Sequence, residues 1–239
     1  MNIKEFNDIL LSNIKEIDVN ISNDKINLFY NYMNLILSWN EKINLTAITE
    51  EKDIIVKHFI DSMSIDKYVK ENNIVMDMGT GAGFPGIPLK IINDNQKFIL
   101  IDSLNKRIKF LEEVKKELRL DKLELIHSRA EDLAKNKNYR EKIDIVVSRA
   151  VANLQVLVEY MLPFTKIGGL CICMKGPNIK DEIENSKNAI DILGGRIEKI
   201  ENLLLDNGEM ERNIIIIRKV KETPNKYPRK AGMPIKQPL

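Results

Sequence analysis

The segment Ile74–Leu89, IVMDMGTGAGFPGIPL, constrains this chain more than any other. The apolar run Ile74-Val75-Met76 reads as a buried strand, and Asp77 follows it. Glycines then take alternate positions at Gly79, Gly81 and Gly83, with a fourth at Gly86 just past Phe84-Pro85. Ile87, Leu89, Ile91 and Ile92 continue at helical spacing. Strand, glycine turn and helix make the first half of a nucleotide-binding βαβ unit. Glycine is needed in such a turn because a Cβ would keep a ligand off its backbone.

The class of ligand is less constrained. Gly81-x-Gly83-x-x-Gly86 satisfies the dinucleotide fingerprint, so a nicotinamide nucleotide is one reading. Two features point away from it. Asp77 lies at the carboxyl end of the strand, where a carboxylate repels a pyrophosphate but suits a cationic ligand or its amino group. Pro85 suits a first helical turn and removes a backbone donor that a phosphate would use. The pattern Asp-x-Gly-x-Gly-x-Gly resembles the first motif of S-adenosylmethionine (SAM) methyltransferases. A merely tight strand–helix turn is the bland alternative, and four glycines in so short a span weigh against it.

Downstream, the chain alternates strand and helix. KFILID (97–102) is a strand ending in an acid, with Asp102 23 residues beyond Gly79, near the spacing of a carboxylate that bonds ribose hydroxyls. LELIHS (123–128) is the third strand, and Ala130-Glu131 opens a short helix. IDIVVS (143–148) is the fourth and leads into Arg149, which is costly at a buried strand end unless paired or bound to ligand. LCICMK is the fifth. Residues 197–205 and 213–220, with Asn207-Gly208 between them, read as a closing hairpin. The expectation is an α/β, Rossmann-like fold: a mostly parallel seven-stranded sheet with an antiparallel C-terminal hairpin and a helical N-terminal extension. The crevice should lie at the strands' carboxyl ends, where Gly79, Asp102, Ala130, Glu131 and Arg149 fall.

Before the glycine segment, Ile3, Phe6 and Leu10, then Ile26, Phe29, Met33 and Ile36, mark two packing helices. Thr49 caps a third, through Met63, that carries His58; a lone His there is more often packed than functional. Three regions are expected: 1–66, a helical extension packed on the core; 67–222, the nucleotide-binding domain; and 223–239, a basic strap. Net charge is +2, but Arg218–Leu239 holds seven basic residues against one acid, leaving residues 1–217 at −4. A basic tail on a mildly acidic body suggests a polyanionic partner. Four prolines should keep the tail extended, its closing apolar residues should dock it, and Tyr227 could stack on an unpaired base. Cys171 and Cys173 alternate on one strand face as core residues, without His or Cys neighbours for a zinc site. The chain shows no secretory leader and no apolar run long enough to span a bilayer. A cytoplasmic protein is therefore expected, with no membrane or metal partner.

Several segments together carry a family resemblance: WNEKINLTAI (39–48), HFIDSM (58–63), DMGTGAGFPGIPL (77–89), RAEDL (129–133), SRAVANL (148–154) and YPRKAGMPIKQPL (227–239). The chain resembles the bacterial small-subunit rRNA guanine-N7 methyltransferases, the glucose-inhibited division protein B family, over nearly its whole length. The resemblance implies a SAM site at Gly79, Phe84, Ala130, Glu131 and Arg149, beside Gly81 and Asp102 read above. It implies methyl transfer to N7 of one guanine in 16S rRNA of the small ribosomal subunit. His58, Arg229 and Lys230 are the candidate RNA contacts, no catalytic base is assigned, and a monomer is expected. A small-molecule methyltransferase and a non-enzymatic SAM-binding rRNA factor are the alternatives.

Overall fold

The computed structural model covers residues 1–239. Seven strands form one sheet: β1 (Ile74–Met78), β2 (Lys97–Asp102), β3 (Leu123–His127), β4 (Ile143–Arg149), β5 (Thr165–Lys175), β6 (Gly195–Leu205) and β7 (Met210–Lys219). Their order is β3-β2-β1-β4-β5-β7-β6. β1 pairs in parallel with both β2 and β4, and β7 alone runs opposite to the other six strands. Strand order therefore reverses between β1 and β4, which opens a crevice at their carboxyl ends. The closing hairpin turns at Asp206 and Asn207, with φ of 55° and 54°. Both values suit a primed turn, which matches the twist of paired strands.

Side-chain parity along the strands divides the apolar residues into two cores. Val75, Phe98, Leu100, Ile145 and Val147 face one side. Helices Ile3–Ile14, Asn23–Ile43, Gly86–Ile92 and Asn105–Glu117 cover it, together with the helix over 51–63. The N-terminal helices share this core: Phe6, Phe29, Tyr32 and Phe59 pack in one cluster with Phe84 and Ile87. Met76, Ile99, Val146, Cys171, Cys173 and Ile215 face the other side, under helices Leu154–Met161 and Lys180–Ile192. The third helix starts at Glu51 behind Glu50, not behind Thr49. It widens into a π-helical turn at Ile55–Ile60, a feature often found where a helix carries function. No helix is long and apolar enough to cross a membrane.

The tail docks on the second face, and four of its seven basic residues pair with carboxylates. Lys219 is fully buried, donating to the Leu162 carbonyl (2.7 Å) and pairing with Glu141 (3.1 Å). Arg218 pairs with Glu198 and Lys221 with Asp191. Arg140 donates to the carbonyls of Tyr227 and Thr223, each at 2.9 Å. Tyr227 is buried, so the stacking role expected for it fails on access. The prolines do not keep the whole tail extended: Met233–Lys236 forms one helical turn with Pro234 inside it. A proline there forfeits no hydrogen bond, because first-turn N–H groups have no helical acceptor.

Candidate functional site

Two cavities open at the carboxyl ends of the strands. The first, of about 280 Å³, is lined by Gly79, Asp102, Ala130 and Glu131. Met78, Ile101, Val151 and Tyr160 add further wall, and the tail contributes Gly232 and Ile235. Gly79 and Gly83 are there for space, and Gly81, where an added Cβ would meet nothing within 4 Å, for its positive φ of 62°. An added Cβ at Gly79 would meet a Val151 methyl at 2.6 Å, and one at Gly83 would meet the Tyr32 hydroxyl at 2.6 Å. That hydroxyl donates to the Ala82 carbonyl, so an N-terminal helix braces the glycine turn. Asp102 organises the turn from the next strand. Its carboxylate accepts from the N–H groups of Gly81 (2.9 Å) and Leu104 (2.8 Å) and from Arg107 (3.2 Å).

Asp77 does not face this cavity. Strand parity turns it to the opposite side from Met78, where it accepts from the Thr80 hydroxyl (2.6 Å) and the Gly86 N–H (2.8 Å). It is fully buried, and burial pushes its carboxyl up to about 7. The expected role of Asp77 toward a cationic ligand is therefore corrected: it is an internal bracket across the glycine turn. A Cβ at Gly86 would lie 2.7 Å from its oxygen, which is why that position is glycine.

The second cavity, of about 370 Å³, lies beside the first. Arg149 belongs here and not to the first cavity's wall. It donates to Asp61 (2.8 Å), to the Lys57 carbonyl (3.0 Å) and to His58 Nδ1 (2.9 Å), and lies 4.9 Å from the centre of the Phe84 ring. Arg212, on β7, reaches the other oxygen of Asp61 at 3.1 Å. Asp61 is 1 % exposed, so one buried carboxylate holds two guanidinium groups. Burying it is tolerable only because both charges are present.

His58 completes the network. A guanidinium only donates, so Nδ1 accepts and the imidazole proton sits on Nε2, facing Thr46 Oγ1 at 2.9 Å. The Asn40 side chain accepts from the N–H groups of Leu45 and Thr46, folding the loop that presents Thr46. The His58 ring stacks on Phe84 at 4.2 Å. Burial first, and Arg149 second, push His58 down to about 3. With both nitrogens engaged and the ring neutral, His58 positions Arg149 and is no free acid or base. It also lines the second cavity, so any contact with RNA there is made without a free ring nitrogen.

A pH signature follows. The unfolded imidazole takes a proton near pH 6.5, the folded one only near 3. Between these values the unfolded chain binds more protons, so this group's contribution is full above pH 6.5 and is lost as pH falls. At pH 5 the loss is about 2 kcal/mol. Denaturant unfolding of the parent should weaken from pH 7.5 to 5 more steeply than that of His58→Gln. Parallel profiles would show that His58 is not held neutral.

The sequence-derived residues thus divide. Gly79, Asp102, Ala130 and Glu131 meet at the first cavity, with Gly81 one hydrogen bond behind it. Arg149 lines the second, and Phe84 is a buried packing partner beneath it. Arg229 is not available to RNA: its side chain grips Glu159 through Nε (3.0 Å) and Nη2 (2.6 Å), and Nη1 donates to the Gln237 carbonyl (2.7 Å). Lys230 stands exposed. Sequence reading assigned no role to Lys57, Asp61 or Arg212, all of which line the second cavity. Asp61, one helical turn from His58, was the only one with a local signal. Both cysteines are buried away from the two cavities, and burial pushes the Cys171 thiol up to about 12, which suits packing and not nucleophilic attack.

The profile of the family "rRNA small subunit methyltransferase G" matches residues 25–215. Ribosomal RNA small subunit methyltransferase G of Clostridium tetani is 52% identical over 237 residues, covering 98% of this chain and 99% of that protein. The protein of the same name from Alkaliphilus metalliredigens is 48% identical over 233 residues, covering 97% and 98%. Among solved structures, M. jannaschii TYW2 in complex with AdoMet superposes with a TM-score of 0.55 at 18% identity, over 68% of this chain and 76% of that one. A SAM dependent methyltransferase from Aquifex aeolicus gives 0.53 at 17% identity, over 76% and 98%. These two likenesses concern the fold.

Proposed function

The chain belongs to the rRNA small subunit methyltransferase G family, a family of SAM-dependent rRNA methyltransferases, and on that premise we propose that it methylates N7 of one guanine in 16S rRNA. The observation that carries the chemistry is the pairing of a glycine-floored cavity with a neighbouring basic one that holds no free base. Guanine N7 has an available lone pair, so no proton need leave before attack, and the work left to the protein is positioning.

The residues of the first cavity fit SAM. Gly79 gives close backbone approach, and Asp102 offers a carboxylate to ribose hydroxyls. Met78, Ile101 and Ile235 offer apolar surface to an adenine. Glu131 is buried at 6 % exposure with one long contact, 3.4 Å, from the Gly232 N–H, which leaves it acceptor capacity toward a ligand. When bound, SAM supplies a methyl group on a sulfonium. The protein's part is to hold the guanine in line with that methyl and to exclude water. Small-subunit rRNA as substrate places the reaction in the cytoplasm.

The test is incubation with methyl-labelled SAM and small ribosomal subunits lacking the modification, followed by nucleoside analysis. The expected product is 7-methylguanosine, at about one label per subunit. Label in another nucleoside would overturn the N7 assignment. SAM and RNA binding without any label would favour the non-enzymatic reading.

A further inference from the structure

We propose that the second cavity seats the target guanosine once it has left the RNA stack, with Arg212 and Lys57 as ligands for its phosphate. This rests on the methyltransferase reading above. The first support is position. Ala150 lines the second cavity and Val151, the next residue, lines the first. The loop at the end of β4 thus contributes to both walls, and Ala150 holds it in a left-handed conformation at φ 55°. Such a backbone is unfavourable for alanine and persists only where its surroundings fix it. A base in the second cavity is therefore adjacent to whatever occupies the first.

The second support is that the charges are built and not merely solvated. Arg212 is fixed at two points, by Asp61 and by the Glu211 carbonyl (3.0 Å), yet its side chain remains 26 % exposed. Asp61 cannot neutralise both arginines it holds, so the cavity keeps positive charge for an anion. Lys57 stands at the same cavity, its only carboxylate partner being the half-exposed Asp53 at 2.7 Å. Such a pair is weak and exchangeable for a phosphate. The third support is the platform. Arg149 is clamped between Asp61, His58 and Phe84, and a fixed guanidinium plane is a stacking surface for an unpaired base. An enzyme acting on a base ring must take the base out of its stack, and the cavity's volume falls in the range of small-molecule sites.

The experiment compares Arg212→Met and Lys57→Met with the parent and with Lys187→Met. Lys187 is an exposed control cation on helix Lys180–Ile192, paired only with Glu184. Calorimetry measures SAM binding, and filter binding to unmodified small subunits is repeated across salt concentrations. Both cavity variants should bind SAM within about 2-fold of the parent. Each should bind subunits several-fold more weakly, with the salt slope shallower by roughly 0.7 to 0.9 for one lost phosphate contact. Lys187→Met should match the parent. Arg212→Met leaves Asp61 paired with Arg149, and Lys57→Met removes only a surface pair, so at least the second variant folds. If both variants keep the parent's slope and affinity, the phosphate assignment fails while the parent's methylation stands. If both lose SAM instead, the cavity belongs to the cofactor and the proposal is wrong. A parent that yields no 7-methylguanosine would remove the reading beneath it.

Discussion

Arg229→Ala is expected to release the carboxyl-terminal strap and to lower SAM affinity about 10-fold without touching the cofactor directly. Glu159 is fully buried, on helix Leu154–Met161, and the tail supplies its partners. Arg229 gives it a backbone N–H at 2.8 Å and the guanidinium's Nε and Nη2. Truncation leaves a buried carboxylate with one donor, at a cost of about 3 kcal/mol. No ion pair holds residues 230–239 themselves. The Gln155 side chain donates to the Leu239 carbonyl, and Arg140 acts only as far as Tyr227. Once the strap lifts, Gly232 and Ile235 leave the wall of the first cavity. Limited proteolysis should cut after Pro228 in the variant and not in the parent, and calorimetry should record the weaker SAM binding. Arg229→Lys, which keeps one charge, should fall between them. A variant with parental SAM affinity and proteolysis but a shallower salt slope for RNA would mean that Arg229 is a phosphate ligand after all.

What the sequence could convey depended on the range of each interaction. Gly79, Asp102 and Glu131 were legible because each follows a strand whose pattern is local, and parallel order brings strand ends together. The N-terminal helices were legible from their apolar spacing. Their brace on the glycine turn, Tyr32 to Ala82, was not, because nothing near Tyr32 marks it as bonded. Asp77 was read as facing a ligand because local pattern gives alternation without saying which face is the crevice; Met78 has the position assigned to Asp77. The tail's +6 suggested a polyanionic partner. Yet Lys219 and Arg229 spend their charge on Glu141 and Glu159, which lie 78 and 70 residues away. A lysine that will be buried and one that will meet RNA are the same letter. Arg212 and Asp61, 151 residues apart, show the same limit.

Asp102→Ala should abolish useful cofactor binding while the protein stays folded. The carboxylate is 2 % exposed, lines the first cavity and already holds the Gly81 and Leu104 N–H groups and Arg107. Its remaining acceptor capacity is what a ribose diol would use. Two hydrogen bonds to a charged group are worth about 3 kcal/mol together, and the loosened glycine turn adds to the loss. SAM affinity should therefore fall by 10² to 10³, read by calorimetry. S-Adenosylhomocysteine carries the same ribose without the sulfonium charge, so its affinity should fall by a similar factor. A loss confined to SAM would instead place Asp102 opposite the sulfonium. Arg107 is a third exposed and can turn to solvent, so the folded state loses less than it does in Arg229→Ala. Asp102→Asn keeps the shape but donates from one side toward the Gly81 N–H, and should recover only part of the binding. If Asp102→Ala bound SAM within about 3-fold of the parent, the carboxylate would be a turn brace only, and the ribose would have to be held from the Glu131 side of the cavity.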